Sequence, residues 1–493
     1  MSSGAAPSQA GLGRFALLGA ITSATAILTA IVRSKVVATK VGPAGVGITA
    51  EAAQLVALSM TLATIATGPA LIAWLSEAQR DKDWRRFERG IGTALALALG
   101  LSLLGAGGAL IASHWLLPRD WEVSAPLAVG LCAASSVAGT LTAVITSIFV
   151  ALKDATYLSI VSLATTVISV VVSVALTLKF GLLGSLISLG AGGGVSVLMT
   201  VAIYQRRFRD AAFSLSLALD KEFLQRAVAI GFTSLIAAVT TQLVYSGIRI
   251  ILQQNGGVGL GEVYNGNYQA ASLIGTQYYA IVISGLANYF WPRYSEARTA
   301  EELTIEVHNA ARFILRLGPP VIVTAIAFRD LIIHALYSQR FEYAVSILGF
   351  QFAGDVAKAV AWAYAGPLLY RGKARAFLLT EIVGGALAVS SCWLFVRWWG
   401  PVGTGVAHLV TYSLYMLFVA VVLSRSCGAA ISWPQMGMAL FLTLLAGGFE
   451  MALRLAPVVR WVALPFLAAW LWRAGVVTMV SERVLSRLRK SPA

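Results

Sequence analysis

Apolar runs of twenty or more residues follow one another along this chain almost from end to end, and that pattern leaves few folds open. Wound as a helix, a run of that length crosses about 30 Å of hydrocarbon. The composition agrees: 58% of the 493 residues are hydrophobic, only 12% are charged, and mean hydropathy is +0.78. Soluble domains carry about a quarter charged residues. An all-α polytopic membrane protein is therefore expected.

Hydropathy and loop signals divide the chain into about fourteen spans, from 14–36 to 459–480. Lysine and arginine crowd every second group of connections, with Arg80, Lys82, Arg85, Arg86 and Arg89 after the second span and Arg206, Arg207, Arg209, Lys221 and Arg226 after the sixth. The opposite connections hold about one cation each, so both termini are expected in the cytoplasm of a bacterial inner membrane. The first apolar run lacks a convincing cleavage site and reads as a retained helix. The net charge of +15 belongs to this topology. A nucleic-acid face would need cations interleaved with aromatic or polar readers on a soluble surface.

The chain also resembles itself. "LKDATYLSIVSLATTVIS" (152–169) recurs in pattern as "GKARAFLLTEIVGGALAVS" (372–390), pairing Lys153 with Lys373. "FGLLGSLISLG" (180–190) matches "WGPVGTGVAHL" (399–409), pairing Gly181 with Gly400 and Gly184 with Gly403. "LGRFALLGAITS" echoes "LQRAVAIGFTS", with Arg14 opposite Arg226. An offset of six spans preserves orientation, which gives parallel repeats, a V-shaped pair of halves and a central cavity between them. The expected organisation is a cytoplasmic segment 1–13, a six-helix half 14–204, a cytoplasmic linker 205–226 and a second half 227–424. An additional helix pair 435–480 falls outside the repeat, and a basic cytoplasmic tail 481–493 follows.

Charges inside the spans carry the functional signal. Asp355 and Lys358 sit three apart in "FAGDVAKAVAWAYAGPLLY", on one helix face near mid-depth. Each charge at a bilayer centre costs roughly 2.5–3.5 kcal/mol on insertion scales. Either the pair locks two helices together, or it faces a wet cavity where a carboxylate couples transport to protons. Arg33 and Lys35 come late in the first span and Arg249 late in the seventh, with Glu51 and Gln54 at similar depth early in the second. Such cations suit a phosphorylated substrate, since guanidinium grips phosphate oxygens bidentately; snorkelling to headgroups is the simpler reading. Lys153, Asp154, Lys373 and Arg375 lie at cytoplasmic span ends, where topology accounts for the cations and the repeat raises an inward-facing phosphate port.

Other features carry less. "GAGGGVSVL" (190–198) lacks the lysine of a phosphate loop and reads as close helix packing. No ATPase motif appears, and no metal or cofactor is expected. Cys132, Cys392 and Cys427 form no disulfide framework or metal spacing. His408 reads as a hydrogen-bonded structural histidine rather than a proton relay.

Several stretches, in order, resemble a known family: "SKVVATKVGPAGVG" (34–47), "LKDA" (152–155), "IRIIL" (248–252), "GNYQAAS" (266–272), "GDVAK" (354–358) and "AFLLTE" (376–381). The chain is similar to the Wzx-type polysaccharide flippases, O-antigen and lipid III flippases among them, of the multidrug/oligosaccharidyl-lipid/polysaccharide exporter superfamily. The resemblance implies translocation of an undecaprenyl-pyrophosphate-linked oligosaccharide between leaflets, with a polysaccharide polymerase and a chain-length regulator as partners. Lys35, Arg249, Asp154, Asp355, Lys358 and Glu381 match charged positions of that pattern; Glu51 departs from it, at a position with a neutral amide. On this reading Arg33, Lys35, Gln54, Arg249 and Lys358 bind pyrophosphate and glycan, and Glu51, Asp355 and Glu381 couple ions or gate. The rival transport reading is a drug or cation antiporter, which predicts a cavity of carboxylates and aromatics. A membrane enzyme on the same lipid carrier would need a large external loop, and no loop exceeds about two dozen residues.

Overall fold

The computed structural model describes residues 9–67, 69–116, 125–152, 154–207 and 219–473. Lys153, residues 1–8 of the N-terminal segment, 208–218 of the linker and the tail 481–493 lie outside the described residues. Every regular element among the described residues is helical. In chain order these are α1 (Gln9–Thr67), α2 (Pro69–Arg80), α3 (Trp84–Leu116), α4 (Ala125–Ala151), α5 (Ala155–Arg207) and α6 (Lys221–Glu296). Then come α7 (Ala300–Ala327), α8 (Arg329–Leu336), α9 (Glu342–Tyr370), α10 (Ala374–Trp399), α11 (Gly403–Cys427), α12 (Trp433–Leu455) and α13 (Ala463–Arg473).

Three of these helices are too long to be single spans. At 1.5 Å per residue the 59 residues of α1 and the 76 of α6 would extend to roughly three and four bilayer thicknesses. Each is broken at a glycine with positive φ: Gly42 in α1, Gly181 in α5, and Gly257 and Gly259 in α6. A residue with a Cβ rarely adopts that backbone, so these glycines are where the chain turns. Dividing the three helices there, counting α2 with the limb before it and setting aside short α8 leaves fourteen helical limbs among the described residues, the number expected.

The repeat is visible in the turns. Gly181 (φ 59°, ψ −130°) and Gly400 (φ 57°, ψ −144°) share one backbone conformation at paired positions. Three residues on, a Cβ on Gly184 would strike the carbonyl of Leu176, and a Cβ on Gly403 that of Phe395, eight residues back in both cases. The two hairpins close in the same way.

The chain forms two compact units. Unit 1 runs to Ile250 and takes in Val258–Gly266 and Leu336–Ser338; unit 2 comprises Ile251–Gly257, Asn267–Ala335 and the chain from Gln339. The change of unit thus falls within α6, later than the repeat boundary at 205–226, because the first limb of α6 packs on α1 through the polar contacts described below. Unit 1 is centred on Leu71, Trp74, Phe87, Ile91, Ile148, Phe149 and Phe223. Trp74 is held at one end of that core: its indole N–H donates to the Arg86 carbonyl (3.1 Å), and the Arg86 guanidinium lies 4.2 Å from its ring. Arg226, at the start of α6, reaches Glu77 of α2 at 2.7 Å.

Unit 2 is centred on Tyr294, Ile314, Val360, Tyr364, Met416, Leu423, Met436 and Leu442. The helix pair outside the repeat is built into it. Arg329 of α8 and Glu450 of α12 form a buried ion pair at 2.6 Å, and a Cβ on Gly349 of α9 would strike the Glu450 carboxylate. The Trp470 indole of α13 donates to the Arg316 carbonyl (2.8 Å), and Gln435 donates to that of His308 (3.2 Å). Leaving Arg329 or Glu450 alone in that position would cost several kcal/mol, so the pair fastens α12 to α8 and α9.

Candidate functional site

In unit 1 the site begins with two glycines. A Cβ on Gly47 would run into the Glu262 carbonyl and come within 2.9 Å of the Gly266 nitrogen; one on Gly266 would run into the Pro43 carbonyl. The second limb of α1 and the second limb of α6 therefore cross backbone against backbone, as small residues allow in membranes. That crossing fixes what lies one turn further along. Glu51 is 1% exposed, and the Asn265 side-chain amide donates to its Oε1 at 2.6 Å and to the Arg249 carbonyl at 3.3 Å. Arg249 is 4% exposed and Glu262 5%, and both act electrostatically on Glu51. One turn along α1, Gln54 donates to the Gln242 side chain (2.7 Å) and carbonyl (3.2 Å) and to the Ser246 hydroxyl (3.4 Å). A polar ladder thus binds α1 to both limbs of α6: Gln54, Gln242 and Ser246 on one rung, Glu51, Arg249, Glu262 and Asn265 on the next. With its charged groups ionised, the second rung holds two negative charges and one positive.

Unit 2 holds a different cluster. α9 and α11 cross closely at two glycines: a Cβ on Gly354 would lie 2.8 Å from the His408 ring, and one on Gly405 would lie 2.7 Å from the Ile347 carbonyl. Between them Asp355 is 2% exposed. Its Oδ1 lies 3.0 Å from His408 Nε2 on α11 and 3.6 Å from Lys358 Nζ on its own helix. The Tyr412 ring packs against His408 (4.5 Å between centroids) and lies 5.1 Å from the Lys358 ammonium. Lys358 keeps 21% of its side chain exposed. One carboxylate oxygen serves a fixed cation and a titratable base.

The structure distributes the expected site residues unevenly. The Asp355–Lys358 contact is as the spacing implies, and Glu51, Gln54 and Arg249 come together on one ladder. Arg33 and Lys35 are half-buried on the first limb of α1, and at a spacing of two they face different sides of it, so one face does not present both. Glu381 of α10 is half-buried and accepts from the Tyr415 hydroxyl at 3.4 Å. Asp154 accepts from the Tyr157 backbone N–H (3.3 Å) at the start of α5, as a helix cap does. Lys373 and Arg375 are exposed at the start of α10. Three participants are new: Glu262 and Asn265, whose three-residue spacing in "GEVYNGNYQ" is a legible polar face, and His408, which one helix's spacing cannot pair with Asp355.

These features define a polytopic helical membrane protein with the fold of the multidrug/oligosaccharidyl-lipid/polysaccharide exporter superfamily. A solved structure of the lipid II flippase MurJ in an inward closed conformation aligns over 95% of this chain and 99% of its own, with a TM-score of 0.66 at 13% identity. An inward-facing multidrug resistance transporter of the MATE family aligns over 82% of this chain and 95% of its own, with a TM-score of 0.63 at 14% identity. In sequence, the chain is 22% identical over 436 residues to the lipid III flippase of Escherichia coli K12, spanning 86% of this chain and 99% of that protein. The lipid III flippase of Shigella flexneri matches equally. No family model matches. The resemblance read from the ordered motifs is borne out in fold and in relatives.

Proposed function

We propose that this protein is a flippase. It moves an undecaprenyl-pyrophosphate-linked oligosaccharide from the cytoplasmic to the periplasmic leaflet of a bacterial inner membrane, by alternating access, for O-antigen, common-antigen or exopolysaccharide synthesis. Both termini lie in the cytoplasm, and a polymerase and a chain-length regulator act on the product. The observation that carries the reading is Arg249, a guanidinium enclosed inside a membrane span, whose backbone carbonyl accepts from the Asn265 amide and whose charge acts on buried Glu51. A diphosphate and several sugars do not cross hydrocarbon unaided, and a preset guanidinium is the side chain best shaped to receive phosphate oxygens. The nearly full-length likeness to two lipid III flippases supports the same substrate class.

In this reading Arg249, with Arg33 and Lys35, supplies the phosphate-binding cations of unit 1 and Lys358 that of unit 2, and Gln54 with its amide neighbours meets the first sugars. Glu51, Asp355 and Glu381 couple the cycle to an ion gradient, and Lys153, Lys373 and Arg375 form the cytoplasmic port with Asp154 as the cap that shapes it. The test is flipping of the lipid-linked oligosaccharide in proteoliposomes. Arg249→Ala and Lys35→Ala are expected to abolish or strongly slow it; wild-type rates in both would remove the phosphate-site assignment.

A second reading has one observation in its favour. Two carboxylates to one guanidinium leave that rung of the ladder with an acidic excess, which suits exchange of a small organic cation for protons. Uptake of a fluorescent cationic dye by the same proteoliposomes, without lipid movement, would favour it.

A further inference from the structure

We propose that His408 is a proton-binding residue that decides whether Lys358 is held by Asp355 or is available to an anion. The inference rests on the diphosphate substrate proposed above and assigns its regulation to a residue outside that proposal. Asp355 is enclosed, and its Oδ1 is approached from two helices: by His408 Nε2 of α11 at 3.0 Å and by Lys358 Nζ of α9 at 3.6 Å. While His408 is neutral, the carboxylate has one counter-charge in this cluster, and it is Lys358. When the imidazole takes up a proton from water, the carboxylate is balanced from α11 at the shorter distance, and the cluster gains one net positive charge. Lys358 then becomes the surplus cation. Lys358 and His408 are exposed alike (21% and 20%) while Asp355 is enclosed, and the flexible four-carbon stem of Lys358 lets its ammonium swing away from Asp355 without moving the helix.

Tyr412, one turn along α11, stacks against His408 and offers its ring to the Lys358 ammonium, which gives the lysine a resting place when no anion is present. On the other helices packed against α11, the carboxylates are Glu381 of α10, hydrogen-bonded to Tyr415, and Glu450 of α12, paired with Arg329. The cations of those two helices are Arg375 and Arg397 of α10 and Arg454 of α12.

The consequence is linkage. Proton binding at His408 tightens anion binding at Lys358, and by reciprocity anion binding promotes proton uptake at His408 by the same factor.

The test measures the affinity of purified protein for farnesyl diphosphate between pH 5.5 and 8.5, in wild type and three variants. The wild type is expected to bind on the order of tenfold more tightly at the acidic end, beyond the change due to the probe's own titration. His408→Gln, which keeps a hydrogen-bond donor but cannot be charged, should bind weakly and lose that pH dependence. His408→Lys, permanently charged, should bind tightly with the dependence also lost. Asp355→Asn, which releases Lys358 at every pH, should resemble His408→Lys. A structural histidine would give Gln and Lys variants that shift together; these are expected to shift in opposite directions. Binding in the wild type with an unchanged pH profile in all three variants overturns the inference alone. No wild-type binding at any pH, with intact protein by thermal melting, overturns the substrate reading and this inference with it.

Discussion

Arg249 in unit 1 and Lys358 in unit 2 are both cations set inside membrane spans beside carboxylates, but their surroundings differ in two respects. Arg249 is almost fully enclosed, shares its rung with two carboxylates, and belongs to a side chain that stays charged at any working pH. Lys358 is partly exposed, has one carboxylate, and shares it with a histidine. In unit 1 the cation is the constant and the acids are the variables; in unit 2 the carboxylate is the fixed centre and its partners are exchangeable. Burying a charge is tolerable only with a partner, and removing one partner of a buried pair costs more than removing the pair. The first cluster is therefore also a joint of the fold, while the second is free to change state.

The largest effect that would break this contrast concerns the joint itself. Gly266→Leu places a side chain where the Pro43 carbonyl already lies, and backbone cannot give way as the tip of a side chain can. The expected outcome is no monodisperse protein on gel filtration in detergent. The same change at Gly437 of α12, where a Cβ would meet nothing, should be harmless. Next in size is Arg249→Ala. It removes the enclosed positive charge that acts on buried Glu51, so thermal stability and flipping should fall together. Adding Glu51→Gln to it should restore part of the stability and none of the flipping. If Arg249→Ala melts like wild type, the ladder is not the joint described here.

Lys358→Ala separates the two clusters most sharply. Its loss leaves enclosed Asp355 to His408, which can take up a proton in its place, so melting should fall less than in Arg249→Ala while flipping falls at least tenfold. A loss of stability comparable to that of Arg249→Ala would show that both clusters are structural.

How much of this was legible beforehand follows from what each feature depends on. The spans were legible because a twenty-residue apolar run has one use, and the turns at Gly181 and Gly400 because two copies of a hairpin repeat the glycine that only that backbone favours. The Asp355–Lys358 contact was legible because both residues ride on one helix, where a spacing of three sets their approach. His408 was expected to be hydrogen-bonded, and it is, but its partner was not legible, for the converse reason. Its partner lies 53 residues away on a facing helix, and the crossing at Gly354 and Gly405 that brings them together leaves no periodic mark. Arg249 was expected beside Arg33 and Lys35 with Glu51 and Gln54 at its depth; Glu51 and Gln54 share its ladder, and what the spacing did not report is that Glu262 and Asn265 join that ladder. Glu262 and Asn265 reach it only because Gly47 and Gly266 let two backbones touch, which hydropathy does not report.

The smallest effect calibrates the comparison with a pair outside the spans. Arg460 bonds to Asp330 at 2.9 Å beyond the end of α7, with both side chains about one-third exposed. Burial alone would raise the Asp330 carboxyl, but the hydrogen bond from Arg460, the Leu331 N–H and the charges of Arg460 and Arg329 outweigh it, so it sits below the ordinary carboxylate range. A depressed carboxyl stabilises the fold above its unfolded pKa of about 3.9 and loses that contribution as pH falls through the folded value. Because water and salt screen this pair, its worth is below about 1 kcal/mol. Asp330→Asn should therefore lower the melting temperature slightly at pH 7, and the difference from wild type should vanish as pH falls through the depressed folded value. If instead that variant costs as much as Arg249→Ala, enclosure in the membrane is not what distinguishes the ladder of unit 1 from an ordinary ion pair, and the contrast between the units has to rest on their chemistry alone.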